Sequence, residues 1–166
     1  MDDDVLFEQL YPALYRYLHR LTGDPDAAED VAQESFVRLL QQSLPAEEVR
    51  PWLFTVATTL VRDRARKRQR HLRLAEAVPA PAPREAPDVS TERADEIRRV
   101  RAALDEVPER DRTLLLMREE GFKYDEIARA VGVAPGSVGT LLARALRRFA
   151  DVYRKLNQVE DVDDAR

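Results

Sequence analysis

Apolar residues recur at three- and four-residue spacing along the first part of the chain, the pattern of a helix with one buried stripe. The first stripe comprises Leu6, Leu10, Leu14, Tyr17, Leu18 and Leu21. A second helix is predicted from Pro25 through AAEDVAQESFVRLLQQ, because Asp24 can cap its N-terminus and proline suits the first helical position. A third helix is predicted to open at Pro51 and to run to residue 73, first apolar and then basic.

The helical periodicity stops in the segment AEAVPAPAPREAPDV, which predicts an extended linker because closely spaced prolines prevent helix hydrogen bonding. Beyond it, Ser90 or Thr91 can cap ERADEIRRVRAALDEV, and PERDRTLLLMREE follows and ends at Gly121. YDEIARAV, a turn at Gly132, and a helix from Pro135 to about Lys155 complete the pattern. The predicted organisation is an N-terminal helical module at 1–74, a flexible linker at 75–90, a C-terminal module at 91–156, and an acidic disordered tail at 157–166.

Composition supports an all-α fold of two small domains. The 166 residues are 44% hydrophobic and 35% charged, with five glycines. The chain has no cysteine, which excludes disulfides, thiolate zinc sites and cysteine nucleophiles. No phosphate-cradling glycine loop, metal-ligand cluster or nucleophile–base pair is recognisable by spacing, so we expect neither an enzyme nor a cofactor. No signal peptide or apolar run long enough for a membrane span is present, so we expect a cytoplasmic protein without membrane insertion.

Charge is unevenly distributed along the chain. The net charge is −4, and residues 1–34 hold nine acids against two bases. The segment RDRARKRQRHLR, residues 62–73, instead holds seven bases against Asp63. A compact basic block on an acidic chain indicates a local contact with a polyanion.

Residues 124–149 have the spacing of a helix-turn-helix, whose second helix reads DNA. The residues that fit its small core are Ile127, Ala128, Val131, Gly132, Val133, Val138 and Leu141. Outward positions of the second helix include Gly136, Thr140, Ala143, Arg144 and Arg147, few of which carry long side chains. An ordinary helical hairpin is the alternative interpretation.

Two further patches are candidates for binding. On the second helix, Asp30, Gln33, Glu34 and Val37 form a polar face with a small apolar element, for which an ordinary solvated face is the alternative. On the third helix, Trp52 precedes the arginine block, and aromatic side chains beside a basic stripe can hold unstacked bases. The alternative there is that Trp52 belongs to the core and the arginines only solubilise the chain.

The order of three blocks resembles the bacterial extracytoplasmic-function sigma factors of the sigma-70 family. These blocks are DPDAAEDVAQESFVRLLQ, RPWLFTVATTLVRDRARKR and LDEVPERDRTLLLMREEGFKYDEIARAVGV, and the similarity spans residues 5–153. The resemblance implies a sigma region 2-like bundle and a sigma region 4-like helix-turn-helix. It also implies three partners: core RNA polymerase, through its β′ clamp and β flap; promoter DNA; and an anti-sigma factor or other regulator.

The resemblance also assigns residues to these roles. Docking on the β′ clamp coiled coil falls to Asp30, Gln33, Glu34, Val37 and Arg38. Recognition of the minus-ten element and its displaced strand falls to Trp52, Thr59, Arg62, Asp63, Arg66 and Lys67. Binding of the upstream minus-thirty-five element falls to Gly136, Ser137, Gly139, Thr140, Arg144, Arg147 and Arg148.

The chain departs from the family pattern at two places. Thr58 and Thr59 replace an Arg and an Asn, and threonine has one hydroxyl where asparagine has both an amide donor and an acceptor. In the last helix, Gly139 replaces a Lys, and Leu141 and Leu146 replace arginines. Two alternatives therefore stay open: a stand-alone DNA-binding regulator, and a sigma-like interaction protein with reduced promoter reading. If the chain is a sigma factor, we expect the second helix of the helix-turn-helix, which has few long exposed side chains, to contact mostly DNA phosphates.

Overall fold

The computed structural model describes residues 2–74 and 92–163, with side chains up to residue 158. The predicted linker and the Ser90 or Thr91 cap lie outside the described residues. Residue contacts divide the chain into two compact units, Met1–Arg84 and Glu85–Arg166. The all-α prediction is confirmed. The helices are α1 (Asp3–Thr22), α2 (Pro25–Leu39) and α3 (Ala46–Leu74) in the first unit, and α4 (Glu92–Glu106), α5 (Glu109–Glu119), α6 (Tyr124–Val131) and α7 (Val138–Asp163) in the second.

The junction between α1 and α2 is set by local sequence. Gly23 ends α1 with a left-handed φ of 70°, and its N–H donates to the carbonyl of His19 at 2.8 Å. Asp24 then caps α2, because its carboxylate accepts a hydrogen bond from the N–H of Asp26 at 2.9 Å. Pro25 occupies the first turn, as the sequence predicted. The two helices therefore follow each other with a minimal connection.

The core of the first unit is built from the predicted stripe of α1 and one face of each of the other two helices. Its buried members include Leu14, Tyr17, Leu18, Leu21, Ala28, Val31, Ala32, Leu53, Phe54 and Ala57. A polar pair lies within it, since the Tyr17 hydroxyl and the Thr58 hydroxyl are 2.7 Å apart and both side chains are buried. This pair fixes the position of α3 against α1.

Helix α3 begins before the predicted start at Pro51. It opens at Ala46, where the N–H of Glu48 donates to the carbonyl of Pro45 at 2.9 Å. Burial of Val49 anchors this first turn, and that contribution offsets the hydrogen bond that Pro51 cannot donate inside the helix. From Arg66 to Leu74 the helix is exposed on every side.

The second unit packs α5 and α6 against the long α7. Its core includes Leu104, Leu114, Met117, Phe122, Ile127, Val138 and Ala145. Gly132 ends α6 with a φ of 73°, as the predicted turn requires. Arg112 closes the end of α4, since its guanidinium donates to the carbonyls of Leu104 at 2.8 Å and Val107 at 3.3 Å. Burial lowers the pKa of Arg112 below its ordinary value.

The structure corrects both ends of the last predicted helix. Pro135–Ser137 form a short 3-10 turn, and α7 begins at Val138. The sequence predicted its end near Lys155 and a disordered tail from residue 157, whereas α7 runs through Asp163. Before the predicted end, α7 is tied to α4, because the Tyr153 hydroxyl donates to the carboxylate of Glu96 at 2.7 Å. Residues 164–166 lie outside the described residues.

Candidate partner and nucleic-acid interfaces

The exposed face of α2 carries the predicted polymerase-docking residues. We name these five residues the α2 outer patch: Asp30, Gln33, Glu34, Val37 and Arg38. Val31, Ala32, Ser35 and Phe36 turn inward and are buried, which leaves the patch on the opposite face. Asp30, Gln33 and Arg38 are exposed, and Val37 exposes 58% of its surface. The patch therefore combines acid, amide and apolar contacts.

Glu34 differs from its neighbours because both of its carboxylate oxygens are engaged. One oxygen accepts a hydrogen bond from Arg38 at 2.6 Å, and the other accepts from Arg64 on α3 at 2.8 Å. These bonds lower the pKa of Glu34, the Arg64 bond being the largest cause. Glu34 thus links α2 to α3. Asp30 is the other acidic residue of the α2 outer patch.

The lowered pKa of Glu34 predicts a pH dependence of stability. The folded carboxyl ionises below its unfolded pKa, so its contribution is complete above the unfolded value and disappears as pH falls through the folded value. We expect Glu34→Gln to be less stable than the wild type at neutral pH and equally stable once the carboxyl is protonated. Urea unfolding followed by the fluorescence of Trp52, the chain's one tryptophan, measures this difference. A stability gap that stays constant with pH would contradict the expectation.

A row of stacked aromatic rings on α1, here called the aromatic ladder, lies beside α2. The ladder was not identified from the sequence. It comprises Phe7, Tyr11, Tyr15 and His19, with successive ring centroids 4.6, 6.2 and 5.9 Å apart. Phe7 also packs against Phe36 at 4.9 Å. Burial, and then the charge of Glu29, raises the pKa of Tyr11. The four-residue spacing of these rings is the signal that predicts the ladder, because i and i+4 side chains meet on a helix.

The predicted minus-ten residues lie along α3. We name the set the α3 outer face: Trp52, Thr59, Arg62, Asp63, Arg66 and Lys67. Trp52 and Arg62 are half-buried and the other four are exposed. The Thr59 hydroxyl donates to the carbonyl of Thr55 at 3.0 Å, so its oxygen can only accept from a base. Trp52 is thus neither a fully buried core residue nor a fully exposed one.

Thr58 does not belong to the outer face. It is 1% exposed, and its hydroxyl donates to the carbonyl of Phe54 at 2.7 Å while it meets Tyr17. The two positions that depart from the family pattern thus differ in kind. Thr58 is a core residue, whereas Thr59 faces solvent.

The second unit contains a helix-turn-helix made of α6, the 3-10 turn and the start of α7. Val131 and Val138 are buried between the helices, as predicted. The exposed residues of the turn and α7 include Gly136, Ser137, Thr140, Arg144 and Arg147. These side chains form one accessible surface with two arginines at its C-terminal end.

Gly139 is half-buried rather than open to a ligand. A Cβ built there lies 3.5 Å from a ring carbon of Tyr124, the first residue of α6. The guanidinium of Arg118 lies over the same Tyr124 ring, 5.4 Å from its centroid, and forms a cation–π contact with it. Tyr124 exposes 44% of its surface beside the start of α7, the predicted DNA-reading helix. Sequence reasoning missed Tyr124, because only packing reveals which side chain covers a glycine.

Arg148 is engaged by the protein itself. Its guanidinium donates to a carboxylate oxygen of Asp111 on α5 at 2.6 Å. Asp111 is buried, with 2% of its side chain exposed, while Arg148 keeps 52%. Among the predicted upstream arginines, Arg144 and Arg147 are exposed, the Nε–H of Arg147 donating to the carbonyl of Ala143 at 3.4 Å, whereas Arg148 is anchored to a neighbouring helix through Asp111.

Two features are absent from the part of the chain that the structure describes: a cluster of metal-ligating side chains and a helix that could cross a membrane. In residues 2–74 and 92–163 no cluster of three or more His, Asp or Glu side chains is arranged to hold a metal ion. None of the helices in these ranges combines the length and apolar character that crossing a bilayer requires.

Comparison with known proteins identifies the family. Residues 6–71 match Sigma-70 region 2, and residues 97–149 match Sigma-70, region 4. The chain is 32% identical over 152 residues to the ECF RNA polymerase sigma factor EcfG of Rhodopseudomonas palustris, covering 89% of this chain and 82% of that protein. The chain belongs to the extracytoplasmic-function sigma factors. It is a sigma factor for transcription initiation.

Other relatives of this sigma factor agree. It is 33% identical over 165 residues to SigL of Mycobacterium tuberculosis, which covers 91% of this chain and 88% of that protein. A co-crystal structure of the sigma factor RpoE with the anti-sigma factor NepR from Bartonella quintana has the same fold. Its TM-score is 0.74 at 22% identity, covering 91% of this chain and 96% of that one. The region 2 match covers most of α1 to α3, and the region 4 match begins within α4 and ends within α7.

Proposed function

We propose that this sigma factor binds core RNA polymerase through the α2 outer patch. The patch is exposed while the reverse side of α2 is buried, so the helix presents it without any change in fold. Asp30 supplies a carboxylate and Val37 an exposed apolar side chain, which suit a basic coiled coil such as the β′ clamp. Glu34 contributes by holding Arg38 and Arg64 in place.

The α3 outer face is proposed to capture the displaced strand of the minus-ten element. The half-buried ring of Trp52 is held by the core and offers an aromatic surface for a base. Arg66 and Lys67 follow Trp52 by about four helical turns and can neutralise phosphates of the same strand. Thr59 lies between them and accepts hydrogen bonds, which gives weaker base discrimination than asparagine.

The helix-turn-helix is proposed to position the complex on the upstream element and against the β flap. Ser137, Thr140, Arg144 and Arg147 form its accessible surface, which suits phosphate contacts more than base reading. The solved relative RpoE is bound to an anti-sigma factor. A protein of that class is therefore the proposed regulator of this chain. The chain itself is proposed to act by binding and not by catalysis.

One observation carries the proposal: in the same chain, region 2 presents an exposed docking patch and an aromatic–basic helix, and region 4 presents a helix-turn-helix. The test is reconstituted transcription with core RNA polymerase and the full chain on genomic fragments, followed by mapping of start sites. We expect transcripts that begin at defined positions only when the chain is present. A chain that binds DNA but starts no transcripts is instead a stand-alone regulator.

A second function is favoured by Thr59 and Gly139, which lack the side chains that usually read promoter bases. It is an interaction protein that binds polymerase or an anti-sigma partner and has lost promoter selectivity. Start sites scattered without a common upstream sequence, together with tight polymerase binding, would support this function. A shared sequence motif upstream of the start sites excludes it.

Arg144→Ala tests how the upstream element is bound. Because Arg144 is exposed and its charge is suited to phosphate, we expect binding to weaken about fivefold to tenfold on both a matched and a scrambled upstream element. The magnitude of the salt dependence should also fall by about one unit of slope. Electrophoretic or fluorescence titration of the holoenzyme at several salt concentrations measures both. A loss confined to one base position would instead show direct base reading.

A further inference from the structure

The buried carboxylate of Asp111 is the feature of the second unit that the proposed function does not use. Asp111 lies in the first turn of α5, outside the helix-turn-helix, yet its carboxylate bonds to Arg148 on the helix that reads DNA. The two residues are 37 positions apart in sequence. Burying a carboxylate is costly unless a cation pairs with it, so the pair holds the Arg148 guanidinium firmly in one place.

The anchored guanidinium still has donors that face outward. One terminal nitrogen bonds to Asp111, and half of the Arg148 side chain remains exposed. Within the described residues, its other N–H groups form no hydrogen bond. Arg144 and Arg147 lie on the neighbouring exposed positions of α7, and an arginine fork matches the oxygens of a phosphate.

We propose that Asp111 is a positioning residue for upstream DNA binding, which holds Arg148 so that its outer N–H groups meet a backbone phosphate. The inference rests on the proposed function, since it requires α7 to lie against DNA. An immobilised arginine has already lost the rotamer freedom that a mobile surface arginine loses on binding. Arg148 therefore fixes the register of the helix on the duplex, while Arg144 and Arg147 add contacts from side chains that no neighbouring helix anchors.

The proposal predicts that removing Asp111 changes the affinity for DNA in the direction opposite to the one that the change in net charge alone would give. Removing a negative charge from a DNA-binding domain strengthens its attraction to DNA. Loss of Asp111 also releases Arg148, and the entropy of fixing it again weakens binding. Asp111→Ala is therefore expected to weaken binding although it adds positive charge. The released Arg148 is half-exposed and can be solvated, so this variant leaves no unpaired buried charge.

Asp105→Ala is the matched control. Asp105 is an exposed acid of the same unit whose carboxylate bonds to Arg101 at 2.6 Å, so its removal changes the charge equally and leaves the Asp111–Arg148 pair in place. Holoenzymes formed with each full-length variant are titrated against a promoter duplex mapped by start-site sequencing. A second duplex with a scrambled upstream element is titrated in parallel. Circular dichroism melting of each chain checks that it is folded.

We expect Asp111→Ala to bind the promoter about fivefold more weakly than the wild type, and Asp105→Ala to bind equally or slightly more tightly. Asp111→Asn, which keeps a hydrogen-bond acceptor, should recover part of the loss. Equal or tighter binding by folded Asp111→Ala overturns the inference.

The double variant Asp111→Ala/Arg148→Gln isolates the phosphate contact. It removes both members of the pair, so it folds without an unpaired buried carboxylate. Its salt slope should be about one unit smaller in magnitude than that of Asp111→Ala. An unchanged slope shows that Arg148 touches no phosphate and overturns the inference. If instead the wild-type holoenzyme does not distinguish the matched from the scrambled duplex, the proposed upstream function itself has failed.

Discussion

Replacing Asp30, Gln33 and Val37 together with alanine is expected to weaken capture of core RNA polymerase by about a hundredfold. A few residues carry most of the binding energy of an interface, and these three are exposed members of the α2 outer patch. The substitutions leave Glu34 and its bonds to Arg38 and Arg64 in place. Because the three side chains are exposed, the fold should lose little stability. A pull-down and a binding titration with purified core polymerase measure the loss.

The matched control is Glu47→Ala with Glu48→Ala, which removes two exposed acids from the first turn of α3 in the same unit. This control changes the charge of the unit more than the triple variant does. We expect it to bind polymerase within about twofold of the wild type. Capture by the triple variant equal to that of the control would show that polymerase docks elsewhere.

Thr58→Arg is expected to destabilise the first unit by about 3 kcal/mol or more. The substitution restores the residue type that the family pattern has at this position, but here the site is 1% exposed and filled by the Tyr17–Thr58 pair. A guanidinium placed there either loses its hydration or displaces Tyr17 from its packing against Phe54, where the ring centroids lie 5.2 Å apart. Denaturant unfolding followed by Trp52 fluorescence reports the first unit alone, because the second has no tryptophan.

Thr59→Arg is the control at the next position. Thr59 is exposed, so the same side chain should change stability by no more than about 0.5 kcal/mol. Equal unfolding midpoints for the two variants would show that position 58 accommodates a large charged side chain. That result would contradict the assignment of Thr58 to a closed core.

The spacing of apolar residues predicted most of the fold, because a single apolar stripe along a helix indicates which face of that helix is buried. Leu14, Leu18 and Leu21 are buried as that rule requires, and Asp24 caps α2 where its side chain suggested. The start of α3 was harder to predict. Pro51 is a strong local signal for a first turn, whereas the burial of Val49 that extends the helix backwards depends on tertiary packing.

The exposed site residues were predictable for the same reason, and their individual roles were not. The α2 outer patch faces solvent as its spacing indicated, yet nothing local shows that Glu34 bonds to Arg64, 30 residues away. Arg148 was grouped with Arg144 because both lie on one side of α7. Only the fold brings Asp111 to it, and that contact separates an anchored cation from a mobile one.

The position of the Tyr124 ring next to Gly139 has a consequence for protein engineering. A Cβ at position 139 meets the tyrosine ring at an ordinary van der Waals distance, so alanine can be accommodated without moving the backbone. Replacing a glycine inside a helix also stabilises it by about 1 kcal/mol. Position 139 is therefore a place where alanine can make the second unit more stable without adding a side chain to the exposed surface of the helix-turn-helix.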